Sequence, residues 1–367
     1  MITPEALLNG WRGRRFLLQL VLGAEALHAD RDGTETPLAL TVMSAAYDLD
    51  PGQGQMLVSF SGSGAHETPP AATAESVASL LETASLADVD QGAALRALAD
   101  AVANARYWQE PDGSDLLAAT PVVRAALDRV ARHVAGSATG IDWWSAPLDL
   151  ADQHAVTWDD GQGGQGERAP RAADRLARWR ADIAAQETRA RAERPADPEA
   201  PRSGEWWSTP PSDLVHTTRS LGRFGPVGVW LVEDDMGWER AVTHRVAAPA
   251  GARVYEIDGP DAWAALCRRY PLEVTEQKRH DWYRTTGRDG RWLMPDWAAV
   301  AVDHDAVHLT AAAYLTAAGT AVPVDDGVAS VIAGWNPDET YWLSDDARPE
   351  ADGAVWVLGD EDWVPGS

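Results

Sequence analysis

Four short apolar runs constrain this chain more than any other feature. They are Leu214-Val215-His216-Thr217-Thr218, Gly228-Val229-Trp230-Leu231-Val232, Arg253-Val254-Tyr255-Glu256-Ile257 and Asp338-Glu339-Thr340-Tyr341-Trp342-Leu343. Each is rich in β-branched or aromatic residues and bounded by Gly, Pro or Asp, the composition of strands in a compact sheet, and helical patterns fill the intervals. The first run carries a histidine and the last an acid, Glu339. This part of the chain therefore reads as α+β, a mixed sheet with flanking helices.

A length of 367 residues is enough for two domains with sizeable cores. Acids outnumber Lys plus Arg by 56 to 31, a net charge of −25 that repels polyanions and argues against phosphate-driven nucleic-acid binding. The expected partners are a small-molecule nucleotide and an acceptor, a protein or another group. Lys278 is the only lysine, and the single cysteine, Cys267, excludes an internal disulfide and a Cys-rich metal site. The start of the chain has Arg12, Arg14 and Arg15 before Phe16-Leu17-Leu18-Gln19-Leu20-Val21-Leu22. Gln19 interrupts that run and Glu25 and Asp30 follow it, so a secretory signal is not expected. No run reaches the roughly 20 apolar residues that span a bilayer. The expectation is a soluble, cytoplasmic protein without a membrane partner.

Within residues 14–62 the runs at 16–22, 38–43 and 56–60 read as strands, the first equally well as a helix, with a turn at Asp50-Pro51-Gly52-Gln53-Gly54. From about residue 72 apolar positions recur at three and four: Val77, Leu80 and Leu81; Leu95, Leu98 and Val102; Val123, Leu127, Val130 and Val134. These are helices with one buried stripe. Residues 1–140 thus read as a helix-rich α+β domain of unknown role, 141–200 as a Trp-rich connector and helix, and 201–367 as the domain holding the four runs. In the connector Asp142-Trp143-Trp144-Ser145-Ala146-Pro147 parallels Glu205-Trp206-Trp207-Ser208-Thr209-Pro210, either a worn duplication or two sets of core anchors. Between them Asp159 to Gly166 reads as a linker, and 170–193 as a helix stopped by the Pro-rich segment at 196–201.

The order of runs resembles the ADP-ribosyltransferase fold of the NAD-cleaving toxin and polymerase superfamily. Val215-His216-Thr217-Thr218 is similar to that family's first strand, Gly228-Val229-Trp230-Leu231-Val232 with Trp238-Glu239-Arg240-Ala241 to its second strand and following helix, and Glu339 to the acid of its late strand. The resemblance covers roughly the last 150 residues. It implies NAD as substrate, Glu339 as the catalytic acid and His216 as the residue on the adenosine-side ribose. It further implies that Thr217 lies beside the nicotinamide amide, that Thr218 and Arg219 reach the pyrophosphate, and that Gly228, Trp230 and Trp238 belong to the nicotinamide pocket. Cleaving the nicotinamide–ribose bond develops oxocarbenium character, which a carboxylate stabilises; an imidazole offers a donor and an acceptor to a ribose diol. Such a site requires His216 and Glu339 to face one cleft within roughly 10 Å. The chain departs from the family at Glu233-Asp234-Asp235-Met236, where many members carry Ser or Tyr.

Two further features invite other readings. Lys278, Arg279, Arg284, Arg288 and Arg291 are clustered in an otherwise acidic chain, which suits an anionic ligand or a solvated hairpin turning at Asp289-Gly290. His304 and His308 lie four apart, but Ala306-Val307-His308-Leu309 alternates as a strand does, which argues against a zinc pair. No nucleophile elbow, phosphate-binding loop or dinucleotide glycine fingerprint occurs. The function expected is an NAD-dependent ADP-ribosyltransferase or NAD glycohydrolase. The alternatives are a non-catalytic nucleotide- or protein-binding module, or a hydrolase of another N-glycosidic or phosphate ester bond.

Overall fold

The computed structural model describes residues 2–29, 36–52, 72–86, 88–137, 141–158, 170–360 and 362–366. The chain is α+β and divides into two units, residues 1–101 with 109–141, and residues 102–108 with 142–367. Residues 142–200, read above as a connector, fall with 201–367 in the second unit.

In the first unit the described residues form helices and no strand: α1 (Pro4–Asn9), α2 (Trp11–Ala29), α3 (Pro37–Leu49), α4 (Ala74–Thr83), most of α5 (Gln91–Ala103), α6 (Gly113–Ala119) and α7 (Pro121–Gly136). The runs at 16–22 and 38–43 are therefore helical: the first takes the helical of its two readings, and the second corrects the strand reading. The Thr36 hydroxyl caps α3 by accepting from Ala39 N, and Pro37 fills the first helical position. Burial then follows a period near four, with Leu38 and Val42 inside while Leu40 and Met43 stay 43% and 47% exposed. The run at 56–60 and the linker at 159–166 lie outside the described residues. The arginines that begin α2 are structural: Arg12 and Arg15 pair with buried Asp115, and Arg14 donates to the carbonyls of Leu8 and Asn9 at the end of α1.

Among the described residues the second unit holds three four-stranded sheets. One has the order β1-β3-β11-β12, from β1 (His154–Trp158), β3 (Arg240–Ala247), β11 (Arg348–Leu358) and β12 (Trp363–Pro365). A second has the order β2-β10-β7-β4, from β2 (His216–Thr217), β4 (Val254–Ile257), β7 (Ala306–Leu309) and β10 (Thr340–Trp342). The third, β5-β6-β9-β8, is built from β5 (Pro271–Glu273), β6 (Arg291–Pro295), β8 (Val322–Asp325) and β9 (Val328–Ser330). Helices α8 (Ala172–Glu193), α9 (Pro260–Arg269), α10 (Thr275–Thr286), α11 (Trp297–Asp303) and α12 (Ala311–Ala317) complete the unit. Trp263, Trp297 and Trp335 are fully buried and pack edge-to-face or tilted at 5.6–6.3 Å, an aromatic core against which Tyr341 sets its ring.

Three element assignments change, the first being Trp238 to Ala241, which lead into strand β3 and not into a helix. Residues 228–232 are not a strand: Val227–Val229 form a 3₁₀ turn, and the N–H groups of Trp230 and Leu231 both donate to the Val227 carbonyl, so no ladder can form. Gly225 prepares that turn at φ 68°, where a Cβ would lie 2.2 Å from the Trp356 ring. Residues 275–295 are helix α10 followed by strand β6, not a hairpin, and Asp289-Gly290 is the connection between them. The two Trp-Trp segments also differ: Trp143 and Trp144 are buried in a 3₁₀ turn, whereas Trp206 and Trp207 lie in irregular chain with Trp207 46% exposed.

Candidate functional site

Side chains alternate along a strand, so register decides which of the sheet's polar residues meet. In the β2-β10-β7-β4 sheet Tyr341 stands opposite His216 and Val307, while Thr340 stands opposite Thr217 and His308. Glu256 of β4 is level with His308. His216 and Tyr341 therefore share one face with Glu339, and Thr217, Thr340, His308 and Glu256 share the other. On the first face His216 Nδ1–H donates to Glu339 Oε1 at 2.7 Å, and the His216 and Tyr341 rings stack at 5.4 Å and 21°. Glu339 is only 3% exposed and its carboxylate also accepts from Asn336 N and Nδ2 at 3.3 and 3.4 Å. Trp335 Nε1–H donates to the Glu339 carbonyl at 3.1 Å, which pins the backbone beneath it. The His216 side chain keeps 39% exposure, so the pair is sealed from behind and reached through the imidazole.

Burial works against protonation of His216, but the charge and hydrogen bond of Glu339 outweigh it and raise the imidazole above its ordinary value. Tyr341 is raised well above a normal tyrosine, first by burial and then by the charges of Glu339 and Glu233, against a hydrogen bond with Thr209.

The residue before Glu339 serves the other face. Asp338 sits in the left-handed region at φ 61°, which Asp tolerates better than most residues, and is fully buried. Its carboxylate accepts from Arg219 Nε at 2.6 Å and Arg219 N at 3.1 Å, and from His308 Nε2 at 3.3 Å. His308 Nδ1 meets Glu256 Oε2 at 2.6 Å, and Glu256 Oε1 accepts from Leu148 N at 2.9 Å. Both nitrogens of a fully buried imidazole thus point at carboxyl groups, an arrangement that favours the doubly protonated ring. Burial again opposes this, and the hydrogen bonds and charges of Asp338 and Glu256 reverse it, raising the His308 pKa. The result is a buried row of alternating charge, Glu256, His308, Asp338 and Arg219, ending where Arg219 Nη2 donates to the carbonyls of Ala146 and Pro147 at 3.2 and 3.3 Å.

The structure brings His216 and Glu339 into contact and puts the other expected site residues to different use. Thr217 Oγ1 donates to Gln153 Oε1 at 2.6 Å and accepts from Trp342 Nε1 at 2.9 Å. Thr218 Oγ1 accepts from Gly228 N at 3.0 Å. Arg219 is committed to Asp338. Trp230 is buried edge-on against Phe224, donating to its carbonyl at 2.9 Å, and Trp238 stacks on Trp158 of β1 at 5.1 Å. The sequence reading missed Asp338, His308, Glu256, Asn336 and Tyr341. The adjacent acids Asp338-Glu339 are a visible signal, but the bases they meet, His216, Arg219 and His308, lie 30 or more residues away.

The basic cluster is likewise engaged. Lys278 Nζ donates to the Glu205 carbonyl at 3.1 Å, Arg279 pairs with Glu276, Arg284 with Asp281, and Arg291 with Glu273, while Arg288 donates to the carbonyls of Arg291 and Gly327. Burial pushes the Lys278 ammonium down to about 8, and pushes the Cys267 thiol up to about 12, which leaves it inert. Among the described residues no group of three or more His, Cys, Asp or Glu is placed to hold a metal ion, and no helix is long and apolar enough to cross a membrane. No family model, no curated protein and no solved structure matches the chain.

Proposed function

We propose that the second unit cleaves the nicotinamide–ribose bond of NAD and passes ADP-ribose to an acceptor or to water. The observation that carries this reading is the 2.7 Å contact of a half-exposed His216 with a buried Glu339, on one face of paired strands. A buried carboxylate fixed by three donors is preorganised to face developing positive charge on a ribose, and such electrostatic preorganisation is a large part of catalysis. With Nδ1 bound to Glu339, His216 keeps Nε2 for a ribose hydroxyl. Tyr341, stacked on the imidazole, holds that ring in orientation. Arg219 is held by Asp338, so in this reading it supports the acid-bearing turn, and the pyrophosphate contacts expected of it fall to other donors.

The test is nicotinamide release from NAD by the full chain, run beside Glu339→Gln. Release by the parent that falls by about 10²-fold or more in the variant, with the fold intact, supports the reading. Silence from the parent, with no thermal shift on adding NAD, refutes it. A second reading, a nucleotide- or protein-binding module without catalysis, draws on the positions of Trp230 and Trp238, whose rings are occupied within the protein. It leads to a thermal shift with a nucleotide and no nicotinamide release.

A further inference from the structure

Asp338 and Glu339 are consecutive, so the backbone at Asp338 decides where the Glu339 side chain points. That backbone lies at φ 61°, a conformation that a residue other than Gly keeps only where its surroundings over-determine it. The donors on the Glu339 carboxylate do not supply the constraint, since Asn336 belongs to the same turn and His216 is the group to be met. It comes from β7. His308 Nε2 meets Asp338 Oδ1 at 3.3 Å, and the next residue, Leu309, donates its N–H to the Glu339 carbonyl at 3.0 Å. Two consecutive residues of one strand thus hold two consecutive residues of the turn, and Arg219 N and Nε complete the hold on the Asp338 carboxylate. His308 is itself fixed, fully buried with Nδ1 at 2.6 Å from Glu256 Oε2 on the parallel neighbour β4. The row closes on itself: Leu148 N donates to Glu256 at one end, and the carbonyls of Ala146 and Pro147 accept from Arg219 at the other. The charged groups that face His308 are Glu256 of β4 and Asp338 ahead of β10, with Arg219 beyond Asp338, while Thr340 and Thr217 on the same face are uncharged.

Resting on the NAD-cleaving reading for its chemistry, we propose that His308 is a positioning residue of this site: by holding Asp338 in its left-handed turn it aims the Glu339 carboxylate at His216. His308 touches no substrate. It acts through Asp338, from the opposite face of the sheet, as a supporting shell fixes a reacting group. Two substitutions divide the imidazole between them. His308→Gln keeps an amide N–H near the place of Nε2 and so a donor for Asp338. His308→Asn, the shorter amide, keeps a donor near the place of Nδ1 for Glu256 and leaves Asp338 without this contact.

The experiment measures nicotinamide release by the full chain, and the titration midpoint of His216 followed by NMR, in the parent, His308→Gln and His308→Asn. The expected result for His308→Asn is a kcat lower by about 10²-fold, the scale of a misplacement of about 1 Å, with a KM for NAD within about threefold of the parent. Its His216 midpoint falls toward the ordinary value of about 6.5, because the contact with Glu339 that raises it is lost. Losing a positive charge at 308 by itself moves His216 the other way, so the fall reports the displacement of Glu339. His308→Gln stays close to the parent in kcat and shows no fall of the His216 midpoint. Should His308→Asn not fold, Glu256→Ala releases the ring from the partly exposed end of the row and is read for the same fall. Parent-like kcat and His216 midpoint in His308→Asn overturn the inference and leave NAD cleavage standing, as do equal losses in both variants, which mark a merely structural role. A parent that releases no nicotinamide removes the NAD reading, and the His216 midpoint then decides by itself whether His308 positions Glu339.

Discussion

Replacing Asp338 by Asn separates charge from backbone shape. Asn tolerates the left-handed conformation at φ 61° as well as Asp does, and fills the same space, so the change removes the negative charge shared by Arg219 and His308 and turns one of the two accepting oxygens into an N–H₂ donor that faces another donor. Breaking a buried pair by neutralising one partner leaves an uncompensated charge and costs about 3–5 kcal/mol. Arg219 bears most of that, since it keeps only two backbone carbonyls, whereas His308 retains Glu256 and can release its proton. Urea unfolding followed by tryptophan fluorescence is the assay, because of the 18 tryptophans only Trp11 lies in the first unit and the signal reports the second. The pH dependence supplies a second reading. His308 is raised in the folded state, so its stabilisation is fully present below the unfolded value of about 6.5 and fades as pH rises through the folded value. Asp338→Asn flattens that alkaline decline. Asp338→Ala adds the left-handed backbone penalty of about 1–2 kcal/mol. An Asp338→Asn protein within about 1 kcal/mol of the parent would refute the picture of a charge row held by this carboxylate.

Other expected outcomes follow from single contacts. Lys278 is depressed to about 8 when folded, so the unfolded chain binds more protons between that value and the ordinary 10.5, and stability rises with pH across this window. Lys278→Met abolishes that rise and stabilises the protein at pH 7 by about 2 kcal/mol, about 3 from the shift less about 1 for the hydrogen bond to the Glu205 carbonyl. Unfolding free energies at pH 7 and pH 10 check both parts, and a variant less stable than the parent at pH 7 contradicts them. Gly225→Ala places a methyl 2.2 Å from the Trp356 ring at φ 68°, and lowers stability by about 2–4 kcal/mol, read as a shift in the urea midpoint.

The legible part of this protein was its local part. The stripes of α4, α5, α7 and α8 were readable from three-and-four spacing, and β4, β7 and β10 from short alternating runs, because each pattern records which side of its own segment is buried. The same signal failed at 16–22 and 38–43, where short apolar runs fit helix and strand alike, and Thr36-Pro37 was the overlooked start of a helix. It failed at 228–232, where Gly225 and the close approach of Trp356 bend an apolar run into a turn.

His216 and Glu339 could be singled out from residue type and order, but the sequence could not say that they touch. That follows from the antiparallel register of β2 on β10, which sets Tyr341 opposite His216 and carries Glu339 to the same face. Nor could it say that Asp338, one residue earlier, serves a different histidine, or that all five cations of the 278–291 segment are engaged. The sequence by itself determined helices α4, α5, α7 and α8, strands β4, β7 and β10, the acidic balance and the presence of a single cysteine and a single lysine, all properties of composition and of neighbouring residues. Only the tertiary structure decided which acid meets which base, because those partners are tens of residues apart and are chosen by strand pairing and by one left-handed residue, not by local pattern.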